Sequence, residues 1–286
     1  MSYQWYPGHM TKAKRMMQEN IKLIDLIIEL VDARVPLSSR NPDIDALGAG
    51  KARMILLNKS DLADESCNEA WTAYFKNLGL TVVKVNSKSG SGVKSIYTAI
   101  QEACKEKIER DRKRGILNRP VRAMVVGIPN VGKSTFINAL AGKSCTKTGN
   151  KPGVTKGKQW IRLNKNVELL DTPGILWPKF ESQKVGLRLA LIGSINDEIL
   201  DIEELAGDLI VYLRRIKPGI LANRYGIDED GKEYEVLAKV AAARHCLLKG
   251  EQMDTKKAAN ILMDDFRSGK LGRITLELPT EESGQD

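Results

Sequence analysis

The sequence has few cysteines and no long uninterrupted apolar run. Its four cysteines, at positions 67, 104, 145 and 246, form no CxxC pair, which argues against a zinc site and favours reduced thiols. The longest apolar run, residues 23–31, is interrupted by Asp25 and Glu29 and falls short of the roughly 18 residues that a membrane span needs. The N-terminus has no basic segment followed by an apolar core, so no signal peptide is expected. We therefore expect a cytoplasmic protein without a membrane partner.

Basic residues outnumber acidic ones, and the excess is unevenly distributed. The 286 residues include 45 Lys and Arg and 36 Asp and Glu, which gives a formal net charge of +9. Residues 1–176 hold 29 basic and 16 acidic residues, whereas residues 177–286 hold 16 and 20. The basic segments are the stretch with Lys12, Lys14, Arg15 and Lys22, residues 105–122, and residues 143–158. Charge alone is compatible with a solvated surface and with a nucleic-acid footprint, and it does not choose between them.

Apolar runs and helical spacings predict two domains. Five short apolar runs alternate with helical segments, which favours βαβ units on a parallel sheet covered on both faces. The predicted strands are residues 23–31, 54–57, 81–85, 123–126 and 167–170, and the helices between them are residues 10–22, 66–78, 93–114 and 135–140. Later segments, at 184–192, 202–216, 234–248 and 255–268, have helical spacing, with one strand-like run at 274–278. We predict an α/β domain over residues 1–177 and an all-α domain over residues 178–286.

Residues 127–134, Gly-Ile-Pro-Asn-Val-Gly-Lys-Ser, match the phosphate-binding pattern GxxxxGK[ST] between a predicted strand and a predicted helix. The glycines let the backbone approach phosphates, and the helix N-terminus favours negative charge. Lys133 is expected to bridge the β- and γ-phosphates as a catalytic residue, and Ser134 is expected to bind Mg²⁺. The further nucleotide contacts expected here are those of Asn130, Val131, Gly132 and Thr135.

Residues 58–61, Asn-Lys-Ser-Asp, indicate that the nucleotide base is guanine. They follow a predicted strand and match the NKxD element of GTPases. The Asp61 carboxylate can accept hydrogen bonds from guanine N1 and the 2-amino group, which adenine does not present together. Asn58 can contact the base edge and the neighbouring loop, and the stem of Lys59 can cover the ring face. This pattern disfavours an ATPase or a nucleoside kinase.

Two further segments complete the predicted site. Residues 86–88 resemble the SAK element that contacts guanine through a backbone amide, with Asn86 and Ser87 where Ser and Ala are usual, followed by Lys88. Residues 171–174 match DxxG, so that Asp171 is expected to hold Mg²⁺ through water and the Gly174 amide to meet the γ-phosphate. Thr155 lies between the phosphate-binding loop and DxxG, where a switch threonine would bind Mg²⁺.

The order of these elements differs from that of a Ras-like GTPase. NKxD and the SAK-like segment precede the phosphate-binding loop, the switch threonine and DxxG, so the predicted fold is a circularly permuted Ras-like P-loop GTPase domain. The cut places the helical domain directly after DxxG, which responds to the γ-phosphate. With Trp-Tyr-Pro-Gly-His-Met at 5–10 and Asp-Ala-Arg-Val-Pro at 32–36, the whole chain closely resembles the bacterial ribosome biogenesis GTPase A family, the YlqF-like permuted GTPases.

The resemblance implies a function and a set of partners. It implies a cytoplasmic enzyme that binds GTP and GDP with Mg²⁺ and acts in late assembly of the large ribosomal subunit, with hydrolysis stimulated by that particle. The partners it implies are ribosomal RNA, contacted through the helical C-terminal domain, and the large-subunit precursor. Away from the ribosome we expect a monomer. The basic segments are consistent with these partners but do not by themselves predict them.

The group that activates water is the open question of the predicted mechanism. Ile175 stands where Ras-like proteins have glutamine, and an aliphatic side chain cannot orient water. In the resembling family a histidine at the position of His9 is the proposed catalytic residue. The alternative is that His9 packs structurally or only touches RNA. In related GTPases an asparagine at the position of Asn130 helps to bind K⁺, which would neutralise developing charge. A loop-stabilising role for Asn130 is the alternative.

The sequence is compatible with two functions. The first is a molecular switch that binds ribosomal RNA and checks or drives subunit maturation. The second is a guanine-nucleotide-dependent RNA-binding scaffold or placeholder whose hydrolysis is incidental. Ile175 favours the scaffold, whereas the lysine-rich segment around Thr155 favours the switch.

Overall fold

A six-stranded sheet organises the first part of the chain. The structure is a computed structural model, and it describes residues 8–117, 119–142, 159–174, 176, 182–250 and 252–279. The strands are β1 (Leu26–Asp32), β2 (Ala52–Asn58), β3 (Thr81–Lys84), β4 (Val121–Val126), β5 (Gln159–Arg162) and β6 (Val167–Asp171). Their order in the sheet is β3-β2-β1-β4-β6-β5, and all neighbours are parallel except β5 and β6. The predicted α/β fold with a mostly parallel sheet is confirmed.

The central strand β1 places the functional loops. All seven of its residues are buried, as expected for a strand covered on both faces. It pairs in parallel with β2, with Asp32 opposite Asn58, and with β4, with Glu29 opposite Val126. Because the carboxyl ends of these strands meet at one edge, the loops that follow Asp32, Asn58 and Val126 lie together.

The helices around the sheet follow most of the predicted segments. They are α1 (Gly8–Asn20), α2 (Asp43–Leu47), α3 (Glu65–Asn77), α4 (Ile96–Ala103), α5 (Lys105–Lys113) and α6 (Lys133–Ala141). The prediction of a single helix over residues 93–114 is wrong, because the helix is interrupted at Cys104. There the backbone leaves helical geometry and the side chain is buried. The edge strand β5 was not predicted, because its four residues contain only two neighbouring apolar side chains, Trp160 and Ile161, and therefore form no apolar run.

The later part of the chain is helical, as predicted. It contains α7 (Gln183–Leu191), α8 (Ile202–Ile216), α9 (Ile220–Tyr225), α10 (Glu233–Ala243) and α11 (Thr255–Ser268). Helix α10 ends before the predicted residue 248, because His245 adopts a φ of +51° and the chain turns so that Leu247 bridges to Met253. Helices α8, α10 and α11 pack on one another and bury Leu209, Val240 and Leu262.

The end of the described chain returns to the sheet region. The strand predicted at residues 274–278 is wrong, because the segment forms no ladder with a described strand. Its backbone–backbone hydrogen bonds go singly to two loops, from Ile274 N to Leu62 O (2.9 Å) and from Leu276 N to Arg34 O (2.8 Å). One cluster of buried apolar residues runs from the sheet into helices α7, α8, α10 and α11. The boundary predicted at residues 177 and 178 therefore does not separate two apolar cores in the part of the chain that the structure describes.

Candidate nucleotide-binding site

The loop between β4 and α6 requires glycine at two positions. Gly127 has a φ of +154° and Gly132 a φ of +101°. A Cβ on Gly127 would lie 2.7 Å from the Leu30 carbonyl oxygen, and one on Gly132 would lie 2.4 Å from Asn58 Nδ2. Helix α6 begins at the next residue, Lys133, so its N-terminus lies at this edge of the sheet and favours an anion.

Asn58 and Lys59 connect the three loops of the predicted site. Asn58 donates from Nδ2 to the Val131 carbonyl (2.7 Å), and its Oδ1 accepts from the Ser87 amide (3.1 Å) and hydroxyl (2.8 Å). Lys59 Nζ donates to the Asn130 carbonyl (3.0 Å) and pairs with Asp32 Oδ2 (2.9 Å). The NKxD segment therefore holds the phosphate-binding loop on one side and the SAK-like loop on the other.

Lys133 and Asp171 are both buried beside the phosphate-binding loop. Lys133 Nζ donates to the carbonyls of Gly127 (3.0 Å) and Ile128 (2.9 Å), and burial lowers the pKa of Lys133. Burial also raises the pKa of the Asp171 carboxyl, although Lys133 opposes this rise. Neither Asp171 carboxylate oxygen has a hydrogen-bond partner among the described residues. A buried carboxylate with both oxygens available is suited to a cation.

The residues at this position fit Mg²⁺ held partly by a nucleotide. Within the described ranges no group of three His, Cys, Asp or Glu side chains could hold a metal ion. Mg²⁺ commonly uses one or two protein oxygens together with phosphate and water, so Asp171 and the Ser134 hydroxyl suffice. Thr155, the third predicted Mg²⁺ ligand, lies outside the described residues.

A single cleft of about 1210 Å³ collects most of the predicted site residues. Its walls include the predicted residues Asn58, Lys59, Asp61, Asn86, Ser87, Lys88, Asn130, Gly132, Lys133, Ser134, Thr135 and Gly174. Val131 is buried beneath the loop, and Asp171 is fully buried behind Lys133. The backbone of His9 lies in α1, whereas its side chain, like Ile175, is outside what the structure describes.

The helical part of the chain contributes to the same cleft. Most of residues 192–198, which follow α7, line the cleft. Arg267 and Ser268 at the end of α11 and Lys270 just after it also line the cleft. Asn130 Nδ2 donates to the Gly193 carbonyl (2.7 Å), and Ser194 Oγ donates to the Pro129 carbonyl (2.9 Å). The first bond gives Asn130 a role in holding the loop, while its predicted contact with K⁺ stays a prediction.

Asp32 and Arg34 are site residues that the motif analysis missed. The Asp32 carboxylate is fully buried, where it pairs with Lys59 and accepts from Arg34 Nε (2.9 Å) and Nη2 (2.8 Å). These cations hold the pKa of Asp32 well below its usual range, against the effect of burial. Arg34 lies over the Phe266 ring and lines the cleft. The available signal was a charged pair directly after an apolar strand, at the edge where the other loops begin.

Comparisons with known proteins agree with this geometry. Residues 122–245 match a family model described as a 50S ribosome-binding GTPase. The chain is 47% identical over 282 residues to ribosome biogenesis GTPase A of Bacillus cereus, which covers 98% of this chain and 95% of that protein. The chain belongs to the ribosome biogenesis GTPase A family. It is therefore a GTPase that binds guanine nucleotides.

Two solved structures share the fold of this family member. The GDP-bound structure of TM YlqF has a TM-score of 0.69 and 28% identity, with 93% of this chain and all (100%) of that chain covered. The GNP-bound structure of YlqF from T. maritima has a TM-score of 0.67 and 30% identity, with 94% and 98% covered. None of the helices in the described ranges is both long and apolar enough to cross a membrane.

Proposed function

We propose that this protein is a cytoplasmic GTP-dependent switch that binds ribosomal RNA and acts in late maturation of the bacterial large ribosomal subunit. The proposal rests on one observation above all: the nucleotide cleft is lined by loops of the sheet and by the helical part together. A change at the γ-phosphate can therefore reach the helical part through the bonds from Asn130 to Gly193 and from Ser194 to Pro129. This favours the switch over a scaffold with incidental hydrolysis.

The roles of the site residues follow from their positions. We assign Asp61 to the guanine N1 and 2-amino groups, and we assign Lys133 and the Gly174 amide to the phosphates. Ser134 and Asp171, with Thr155, would hold Mg²⁺, which neutralises phosphate charge during transfer. A Cβ on Gly174 would lie 2.9 Å from Lys133 Nζ, so the DxxG backbone passes directly beside the phosphate-binding lysine.

The basic segment at 105–122 divides into paired and available residues. Lys107 and Arg119 pair with Asp25 and Asp111, and Arg122 pairs with Glu168. The exposed remainder is Lys105, Arg110, Arg112, Lys113 and Arg114. The last four, which we call the α5 basic surface, are followed by the exposed side chains of Ile116 and Leu117. A surface of cations next to uncovered apolar side chains suits a nucleic-acid partner.

Replacing Lys113 and Arg114 with Glu should weaken binding to the large subunit and make the binding less dependent on salt, because fewer phosphates are neutralised. Guanine-nucleotide affinity should stay unchanged. The matched control is Lys76→Glu with Lys94→Glu, which makes the same charge change at two separate exposed lysines. If the Lys113 and Arg114 variant binds the large subunit as tightly as the control variant does, the α5 basic surface is only a solvated face.

The test of the proposed function is GTP hydrolysis measured with and without large ribosomal subunits. We expect strong stimulation by the particle, and we propose that His9 orients the attacking water once the particle is bound. His9→Ala should then keep nucleotide and particle affinity but lose roughly 10²–10⁴-fold of the stimulated kcat. Absence of stimulation in the wild type would favour the scaffold. A normal stimulated rate in His9→Ala would shift water activation to Asn130 with K⁺ or to the RNA.

A further inference from the structure

The segment after α11 binds the loop that carries Asp61. Residues 273–277, which we call the C-terminal strap, cross the loop of residues 60–64. Arg273 donates from Nε to the Ala63 carbonyl (2.7 Å) and from Nη2 to the Ser60 carbonyl (3.0 Å). The Ile274 amide donates to the Leu62 carbonyl (2.9 Å). Backbone carbonyls on both sides of Asp61 are thus held from the strap.

The strap also accepts a hydrogen bond from the same loop. The Asp64 amide donates to Thr275 Oγ1 (3.0 Å), and Arg273 Nη2 reaches Glu65 Oε2 (2.7 Å) at the start of α3. Directly after α11, Gly269 has a φ of +80°, and a Cβ there would lie 2.6 Å from Leu62 Cδ2. The end of α11 and the strap therefore form a continuous support beneath Asp61.

The far end of the strap is anchored in the interior. Glu277 is buried and accepts from Arg188 Nη1 (2.7 Å) and from the Ser38 amide (3.0 Å). Its carbonyl accepts from Trp71 Nε1 (3.0 Å), and the Leu276 amide donates to the Arg34 carbonyl (2.8 Å). A strap fixed at this end can hold the loop in one position.

We propose that Arg273 is a positioning residue for guanine recognition, because it fixes the loop that presents the Asp61 carboxylate to the base. The proposal rests on the assignment of Asp61 to guanine made above. The Asp61 side chain is exposed in the cleft, so its direction depends on the backbone that carries it. Two hydrogen bonds to one base edge need a preorganised carboxylate. The planar guanidinium can hold two carbonyls at once, which a lysine ammonium does less rigidly.

The test compares the affinities of GDP and inosine diphosphate, which lacks the 2-amino group and so loses one of the two bonds to Asp61. Arg273→Ala should weaken GDP about tenfold and inosine diphosphate much less, so that the ratio of the two Kd values falls toward one. Arg273→Lys should be intermediate. The control is Arg214→Ala, which removes an arginine bonded to the Gly231 carbonyl (2.8 Å) in the helical part, and its ratio should equal that of the wild type.

Two reference variants separate the possible failures. Thr275→Val removes the acceptor for the Asp64 amide without changing side-chain volume, and it should lower the Kd ratio less than Arg273→Ala does. Asp61→Asn should bring the ratio of the two Kd values to about one. An unchanged ratio in Arg273→Ala and Thr275→Val, with a lost ratio in Asp61→Asn, would leave the strap a structural element and overturn the proposal. An unchanged ratio in Asp61→Asn would overturn the guanine assignment itself and the proposal with it.

Discussion

At the scale of single residues, the fold keeps charges in the cleft that are unfavourable without a ligand. Asp171 is fully buried, and neither of its carboxylate oxygens has a hydrogen-bond partner among the described residues. Lys133 is buried and donates from its ammonium to two backbone carbonyls. Removing these groups from water costs free energy that a bound phosphate and cation would recover. Such residues are retained for function at the expense of the nucleotide-free protein.

Asp171→Asn should stabilise the nucleotide-free protein at pH 7 by about 1–3 kcal/mol, because folding raises the pKa of Asp171 and so disfavours its ionised form. Wild-type stability from this group is present below the ordinary carboxyl range and is lost as pH rises through the raised pKa of about 6. The Asp171→Asn variant should not show this loss of stability. Urea unfolding of the wild type and the variant at pH 5 and pH 7.5 measures the free energy of unfolding in each case.

The same variant should bind Mg²⁺–GDP more weakly than the wild type, so stability and affinity move in opposite directions. Glu168→Gln is the control, since that residue lies on β6 but pairs with Arg122 at the surface. Destabilisation of the nucleotide-free protein at pH 7 by Asp171→Asn would contradict the prediction.

At the scale of elements, the loops at the edge of the sheet are locked to one another by backbone and side-chain contacts. The turn between β4 and α6 passes so close to Asn58 that only glycine fits at position 132. The Asn58 side chain then bonds both Val131 and Ser87. The strand-loop-helix unit therefore depends on contacts with two other strand ends, in addition to its own turn residues.

Gly132→Ala should weaken nucleotide binding by about 1–3 kcal/mol, because the added Cβ displaces the Asn58 amide from its hydrogen bond. Both Gly132 and Gly142 have positive φ, but a Cβ on Gly142 meets no atom within 4 Å. Gly142→Ala therefore introduces an alanine at a positive φ without the clash. Calorimetric titration with GDP should show reduced affinity in Gly132→Ala and near-normal affinity in Gly142→Ala. Equal losses in both variants would contradict the clash.

At the scale of the whole molecule, the sheet and the helices are joined by one apolar core and by a buried ion pair. Arg188 on α7 and Glu277 at the end of the strap are 1% and 0% exposed at their side chains. Glu277 also accepts from the backbone of Leu37 and Ser38 in the loop after β1. Three distant parts of the chain therefore meet at one carboxylate.

Glu277→Ala should destabilise the protein by about 3–5 kcal/mol, because it leaves the buried Arg188 charge without this carboxylate. Glu19→Ala is the control, since it breaks an exposed pair with Arg15 and should cost less than about 1 kcal/mol.

Urea unfolding of the wild type followed by tryptophan fluorescence and by circular dichroism should show one coincident transition. Two separate transitions would show that the helical part unfolds independently of the sheet.

The sequence by itself determined the motif elements and the fold class. Residues 127–134, 58–61 and 171–174 were recognisable because each is a short continuous segment whose strand, turn and helix are set by neighbouring residues. The alternation of apolar runs predicted the parallel sheet, and the apolar spacing predicted α8 and α11 with their observed ends. Local periodicity failed at Cys104 and at residues 274–278, where packing against other parts of the chain decides the backbone.

The contacts that support the site come from long-range packing. Arg273 and Ser60 are 213 positions apart, and Glu277 and Leu37 are 240 apart, so no local pattern connects them. The burial of Asp32 and its pairing with Arg34 and Lys59 likewise depend on the register of β1 against β2. Hydrogen bonds and ion pairs of this kind need two surfaces brought together by the fold. Short continuous segments of sequence therefore determine which chemical groups the loops carry, whereas contacts that exist only once the chain has folded determine the positions of the loops.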